Sequence, residues 1–405
     1  MANTFKFGNG EWAVGKETAL AYNDENNNFK PLPFTFDRAS TATVVNKDGL
    51  IETVGTDEPR IDFLNNTKGH LLLEPQRSNY LLQSNQFDTT WVLSSSIDLT
   101  SGQTGVGGSD NAWLLKRNST GSRYIQQSLS LSSAQYSYSV YLKAESTNWA
   151  YVWSYDGVAS VNVYIDLENG VIGNTSGSNL NDVSIESVGN GWYRVTLIYT
   201  QGTTLVRIYP AYANGSVSTG TDNGIYIQYA QLEQGSYATS YIPTSGQSGG
   251  VTRVSELPFG REDMVDLDLY STEMTWFYDI NLFYKEGGTT VAPRLISTSN
   301  SQVFIGLSIP NVGGTDLRIR HKDGTTAANT SAVSFTNGGR FKIAVKITGT
   351  TGTAYINGTN LGTFTTLAAS NYDEYENVQN NPNNINDMRF YDTALSDSEL
   401  QALTS

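Results

Sequence analysis

Apolar and polar residues alternate with a period of two again and again along this chain, and short runs of turn residues separate the alternating stretches. In QYSYSVYLKAE, Tyr136, Tyr138, Val140 and Leu142 share one face while Ser137, Ser139, Tyr141 and Lys143 share the other. In WYRVTLIYT the same reading turns Tyr193, Val195, Leu197 and Tyr199 inward. Successive side chains of a strand point to opposite faces, so this pattern specifies half-buried strands. Turns fall at Glu168-Asn169-Gly170 and Gly189-Asn190-Gly191, where Asn and Gly accept positive φ at low steric cost. Many short strands at such spacing predict an all-β chain of sandwich or barrel type with few helices.

A length of 405 residues exceeds one typical core, which favours two or three domains. Aromatic residues reach 11% with 24 Tyr while charged residues are only 16%, a balance suited to sandwiches with hydroxyl-rich outer faces. Cysteine is absent, which removes disulfides, thiolate metal sites and cysteine nucleophiles together. The formal charge of −14 disfavours nucleic acid and anionic lipid and fits a neutral sugar better. The N-terminal MANTFKFGNG shows no basic-then-apolar leader, and no apolar run nears the ~18 residues of a membrane span, so neither export through a leader nor membrane insertion is expected.

Three stretches follow one another in order: LLLEPQRSNYLLQSNQF at Leu71–Phe87, GNGWYRVTLIYT at Gly189–Thr200 and GIYIQYAQLEQGSYATSYIPT at Gly224–Thr244. With FTFDRASTATVVNKDGLIETVGTDEPRIDF at Phe34–Phe63, they resemble a family of tailed-bacteriophage and prophage virion proteins over roughly residues 6–253. That resemblance implies a carbohydrate-binding-module-like jelly roll after a short N-terminal region. It also implies a fibre or spike location on the virion after assembly in the host cytoplasm, other virion proteins as partners, and a homo-oligomer with a trimer favoured.

Downstream, MTWFYDINLFY places Met274, Trp276, Tyr278, Ile280 and Leu282 on one face, and FKIAVKI does the same for Phe341, Ile343, Val345 and Ile347. Asn357-Gly358 supplies a tight hairpin turn, and Ser396 with Glu399 forms a capping box for one short helix. This half resembles a concanavalin A/laminin-G-like sandwich. The expected order is therefore an N-terminal docking or packing region at 1–76, a jelly roll at 77–245, a linker at 246–264 and a second sandwich at 265–405.

Catalytic signals are weak. His70 and His321 are the only histidines and neither accompanies a Gly-x-Ser-x-Gly elbow, so both read as strand-end residues. Asp266-Leu267-Asp268 and Asp373-Glu374-Tyr375-Glu376 are the nearest approach to a paired-carboxylate glycosidase site, and each reads better as a strand edge or acidic loop. A carboxylate pair assembled by folding stays open, but the expectation is a non-enzymatic protein. Asp24-Glu25-Asn26-Asn27-Asn28 has oxygens for calcium but lacks an EF-hand glycine; a structural calcium of the kind held by related sandwiches is left without ligands, and no other cofactor is expected.

The strongest binding candidate is TNWAYVWSYDG, where Trp149, Tyr151, Trp153 and Tyr155 fall on one strand parity. Rings at about 7 Å spacing approach the scale of successive sugar rings and can stack on their C–H faces. The competing reading makes this face the jelly-roll core, and Trp192 of GNGWYRV reads as structural. Three functions follow: a virion appendage engaging host surface glycans, a decoration or connector protein binding no sugar, or a depolymerising tailspike.

Overall fold

The computed structural model describes residues 4–15, 18–23, 28–244, 250–260, 272–284, 294–297, 303–310, 314–323, 326–369, 372, 375–376 and 383–405. The acidic candidates 24–27, 266–268 and 373–374, and residues 246–249 and 261–264 of the expected linker, lie outside the described residues; the middle of that linker forms the strands Val251–Arg253 and Leu257–Gly260. The chain is all-β, with one α-helix, Asp397–Thr404, among the described residues. That helix starts on the expected capping box: Ser396 Oγ accepts from Glu399 N, and Glu399 Oε2 accepts from Ser396 N at 2.8 Å.

Two compact units form, and the first is discontinuous: Met1–Lys47, Thr53–Gln76 and Val254–Ser405 make one unit, while Asp48–Glu52 and Arg77–Arg253 make the other. The residues expected to precede the jelly roll thus contribute strands to the sandwich formed by the C-terminal part of the chain. In this first unit Glu273–Leu282 pairs with Gly339–Thr348 on one side and with Asn383–Tyr391 on the other. Asn383–Tyr391 is also paired by Thr4–Gly8, with Phe7 opposite Met388, and by His70–Leu73, with Leu71 opposite Ile385. Met274, Trp276, Tyr278, Ile280 and Leu282 are buried with Phe341, Ile343, Val345 and Ile347, as their alternation predicts. They pack on Ile305, Leu307, Leu317 and Ile319 of the strands Val303–Ser308 and Asp316–Asp323, together with Phe7 and Leu71. The hairpin turn carries Asn357 at φ 46° and Gly358 at φ 73°.

A buried ionic cluster holds this unit's segments together. Arg60 donates from Nη2 to Glu74 Oε2 at 2.7 Å and to Glu256 Oε2 at 2.6 Å, and from Nη1 to the Thr43 carbonyl. Arg38 Nη1 donates to Glu256 Oε1 at 3.2 Å and to the Glu58 carbonyl at 2.8 Å. Both arginine side chains and that of Glu256 are wholly buried. Taking such charges out of water is costly, and the multiple hydrogen bonds offset it. Several landmarks of the Phe34–Phe63 and Leu71–Phe87 stretches therefore have structural work: Arg38, Arg60 and Glu74 meet Glu256 from beyond the second unit.

The second unit is built on two 20-residue strands, Ile125–Ala144 and Trp192–Ala211, whose pairing shifts register between Ser128 and Ala134 of the first, opposite Leu205 to Gln201 of the second. The C-terminal half of the first strand and the N-terminal half of the second lie in a layer with Ala112–Arg117, Gly224–Gln234 and Leu180–Ser187. Their other halves lie in a layer with Trp149–Tyr155, Ser160–Asp166 and Val171–Ser176. Tyr136, Tyr138, Val140, Leu142, Val195, Leu197 and Tyr199 fill the core between layers as the sequence predicts, joined by Val152, Val163, Val206 and Ile208.

The two outer faces of this unit differ. Over the first layer the segment 235–244 lies flat, fixed by buried side chains: Arg194 Nη2 donates to the Thr239 carbonyl at 2.6 Å, Glu233 Oε2 accepts from Thr239 N at 2.9 Å, and Gln231 Oε1 accepts from Ile242 N at 2.6 Å. Asn79 Nδ2 donates to the Ile242 carbonyl at 2.9 Å. Trp192 is 1% exposed in the same layer, in accord with a structural role. The GNGWYRV, RSNYLL and QLEQGSYATSYIPT motifs thus serve to seal one face. Over the second layer the outward residues remain partly exposed.

Candidate functional site

The open face is set by strand parity. Along Trp149–Tyr155, Ala150, Val152 and Ser154 are fully buried, which turns Trp149, Tyr151, Trp153 and Tyr155 to the outside, each partly exposed. The core reading of these four aromatics is therefore not what the strand adopts. Cross-strand register then brings in neighbours from three other segments. Tyr151 stands between Tyr209 and Tyr164, Trp153 between Arg207 and Asn162, and Tyr155 between Leu205 and Ser160. Gln126 of the first long strand lies opposite Arg207.

The side chains pack across strands into a two-dimensional cluster, where the sequence alone predicts a row. Tyr151 and Tyr164 have ring centroids 4.4 Å apart, Tyr151 and Tyr209 5.0 Å, and Tyr124 and Tyr209 5.1 Å. Trp153 and Tyr155 are stacked at 5.3 Å with a 17° interplanar angle. The guanidinium carbon of Arg207 lies 4.1 Å from the centre of the Tyr124 ring and 4.5 Å from that of Trp153. Such cation–π contacts hold a long side chain without an acidic partner. Arg207 Nε also donates to Gln126 Oε1 at 2.9 Å, and Nη1 donates to the Tyr209 hydroxyl at 3.2 Å.

Burial, reinforced by the phenols of Tyr164 and Tyr209, holds the Tyr151 hydroxyl well above its ordinary pKa despite the opposing pull of Arg207. Burial raises Tyr164 and Tyr209 likewise, so the cluster presents neutral hydroxyls able to donate and to accept. Tyr155 donates its hydroxyl to the Gly157 carbonyl at 2.6 Å, while Asp156 Oδ1 accepts from Val158 N and Ala159 N and shapes the turn beyond it. Trp149 closes the other end beside Gly173, where a Cβ would lie 2.7 Å from the indole.

The strand parity of Trp149, Tyr151, Trp153 and Tyr155 was readable from their own strand, but Tyr124, Tyr164, Arg207 and Tyr209 were missed. The available signal was VRIYP at Val206–Pro210: placing Val206 and Ile208 in the core puts Arg207 and Tyr209 on the opposite face.

Elsewhere, His70 is buried next to the Arg60–Glu74 pair and its pKa is pushed down to about 4, chiefly by burial. His321 stacks on Phe364 with centroids 5.9 Å apart. No group of three or more His, Asp or Glu able to hold a metal occurs among the described residues, and no helix among them is long and apolar enough to cross a membrane.

No family model and no curated protein matches this chain. Solved structures of β-rich proteins do. The chain is similar to a heptameric SAP-like pentraxin from Limulus polyphemus, at 14% identity over 33% of this chain and 70% of that one, with a TM-score of 0.28. It is similar to the CBM40 of a Ruminococcus gnavus IT-sialidase bound to alpha2,3 sialyllactose, at 16% identity over 34% and 85%, TM-score 0.26. A Trypanosoma rangeli sialidase in complex with 2,3-difluorosialic acid aligns over 96% of this chain and 65% of its own length, at 10% identity and a TM-score of 0.30.

Proposed function

We propose that this chain is a non-enzymatic glycan-binding protein of a phage particle, engaging host-surface sugar through the open face of its second unit. One observation carries the binding part: of two outer faces built on the same pair of long strands, one is sealed by the chain's own 235–244 segment and the other presents partly exposed Tyr124, Tyr151, Trp153, Tyr155, Tyr164 and Arg207. Phenol hydroxyls and a guanidinium set among aromatic rings match a ligand that alternates hydroxyl groups with apolar C–H faces. The virion setting, and assembly as a homo-oligomer, rest on the sequence resemblance.

Glycan-array binding of the full chain, followed by titration calorimetry on any positive, tests the reading with Tyr151→Ala and Tyr164→Ala as controls. The expected result is binding that both substitutions weaken. A wild-type chain that retains no glycan, or retention unaffected by both substitutions, overturns it. Association of this face with a virion protein, lost in the same variants, would instead assign the cluster to a connector role, since Trp, Tyr and Arg also dominate protein interfaces.

A further inference from the structure

We propose that Arg207 makes this face selective for a sugar bearing a carboxylate, against the neutral sugar that the net charge of −14 alone favours, an inference that rests on the aromatic cluster being the glycan site. Guanidinium offers five N–H donors in a planar fork. The cluster uses only part of that capacity: Nε is taken by Gln126 and one N–H of Nη1 by Tyr209. Among the described residues no carboxylate pairs with Arg207, and Nη2 has no hydrogen-bond partner. Nor does Nη2 belong to the buried unpartnered atoms, so it reaches solvent.

Arg207 carries its charge uncompensated in a chain with 39 acidic and 25 basic residues. Several of its other arginines are paired, as Arg60 is with Glu74 and Glu256, Arg340 with Asp279, and Arg389 with Asp387. At Arg207 two aromatic rings replace the acid. They fix the head group, so that ordering it on binding costs little, and they leave its charge uncompensated. The remaining donors fit the planar, two-oxygen geometry of a carboxylate, and such charge-assisted bonds are stronger than those to neutral hydroxyls. Trp153 Nε1, likewise without a partner among the described residues and not among the buried unpartnered atoms, adds a donor beside the fork.

The shared chemistry is a carboxylated monosaccharide, which occurs as a hexuronic acid or as a nonulosonic (sialic) acid. The test is calorimetry of the full chain with four oligosaccharide classes of matched length: neutral, hexuronate, sialylated and sulfated. At least one carboxylated class should bind about tenfold or more tighter than the neutral one, and Arg207→Gln should remove that margin by weakening the carboxylated class about tenfold more than the neutral one. Arg207→Lys should fall between, since it keeps the charge and loses the fork. Wild-type preference for the neutral class, equal affinity for sulfated and carboxylated sugars, or an equal loss on all classes in Arg207→Gln would each overturn the inference while the glycan site itself stands. Binding of no class by the wild type would overturn both. The comparison among classes needs no variant, so it decides the matter even if Arg207→Gln folds poorly.

Discussion

Trp153 and Arg207 are direct cross-strand partners, and the guanidinium carbon lies 4.5 Å from the centre of the indole. Each holds the other in place, because the indole screens one side of the cation while Tyr155 stacks on the same indole at 5.3 Å. A partly exposed tryptophan with such contacts contributes more to a surface than to a core.

Trp153→Ala should therefore cost only about 1–2 kcal/mol of stability, the sum of a stacking and a cation–π contact. Its glycan affinity should fall by ~2 kcal/mol or more, the scale of an aromatic hot spot. Thermal unfolding and calorimetry on one variant give both numbers. A stability loss of ~3–5 kcal/mol, which a core cavity would produce, is the outcome that rules out the surface assignment.

The alternation in Tyr136–Leu142 and Met274–Leu282 gave away the inward faces because side-chain period is a property of one strand. The Asn357-Gly358 turn and the Ser396–Glu399 cap were legible for the same reason: their physics spans four residues. Partner choice was not. Nothing local in Thr4–Gly8 marks it as a neighbour of Asn383–Tyr391, and nothing in Trp149–Tyr155 announces Arg207 and Tyr209, which arrive by pairing with a strand some fifty positions later.

Cleavage between Ser245 and Gly249, through an inserted protease site, should leave the two pieces associated. Thr4–Gly8 and His70–Leu73 belong to the first piece, and both pair with Asn383–Tyr391 of the second. Size-exclusion chromatography in native buffer should give one peak that splits only in denaturant. Free fragments in native buffer would contradict the discontinuous first unit.

Glu256→Gln should destabilise the protein by ~3–5 kcal/mol, because it removes a buried carboxylate from Arg38 and Arg60 and leaves cationic charge without compensation. Urea titration measures the change. A loss under ~1 kcal/mol would mean that Glu74 and the surrounding carbonyls suffice.

Asp62 and His70 face each other across antiparallel strands, and burial moves them in opposite senses. Burial is the largest cause in both: Asp62 is pushed up to about 6 against the backbone N–H groups of Val45 and Leu64, and His70 down to about 4 with help from Arg60 and opposition from Glu74. Between pH 4 and 6 the folded chain holds a proton on Asp62 that the unfolded chain has released, so this group's contribution declines as pH rises. Over the same window the unfolded chain protonates His70 while the folded chain does not, so that contribution grows. Each slope is about 1.4 kcal/mol per pH unit, and together they nearly cancel. Relative to wild type, Asp62→Asn should gain stability as pH rises from 4 to 6, and His70→Asn should show the reverse trend. A gap independent of pH in both variants would sink this account.

Arg77 and Arg253 are partners in a two-stranded antiparallel ribbon. Apart from the short stretch Asp48–Glu52, the polypeptide therefore leaves for the second unit and comes back from it at points only about 5 Å apart. A domain attached in this way behaves as a cartridge: everything between the two arginines could be exchanged by recombination for another fold with adjoining ends, and the receiving frame would have to span no more than a tight turn. Replacing Arg77–Arg253 by a short Asn-Gly connector should accordingly yield a chain that still unfolds cooperatively, as monitored by circular dichroism. In the intact chain, the same geometry lets the open aromatic face diversify at a pace of its own, while the Arg60–Glu256 clasp stays as it is.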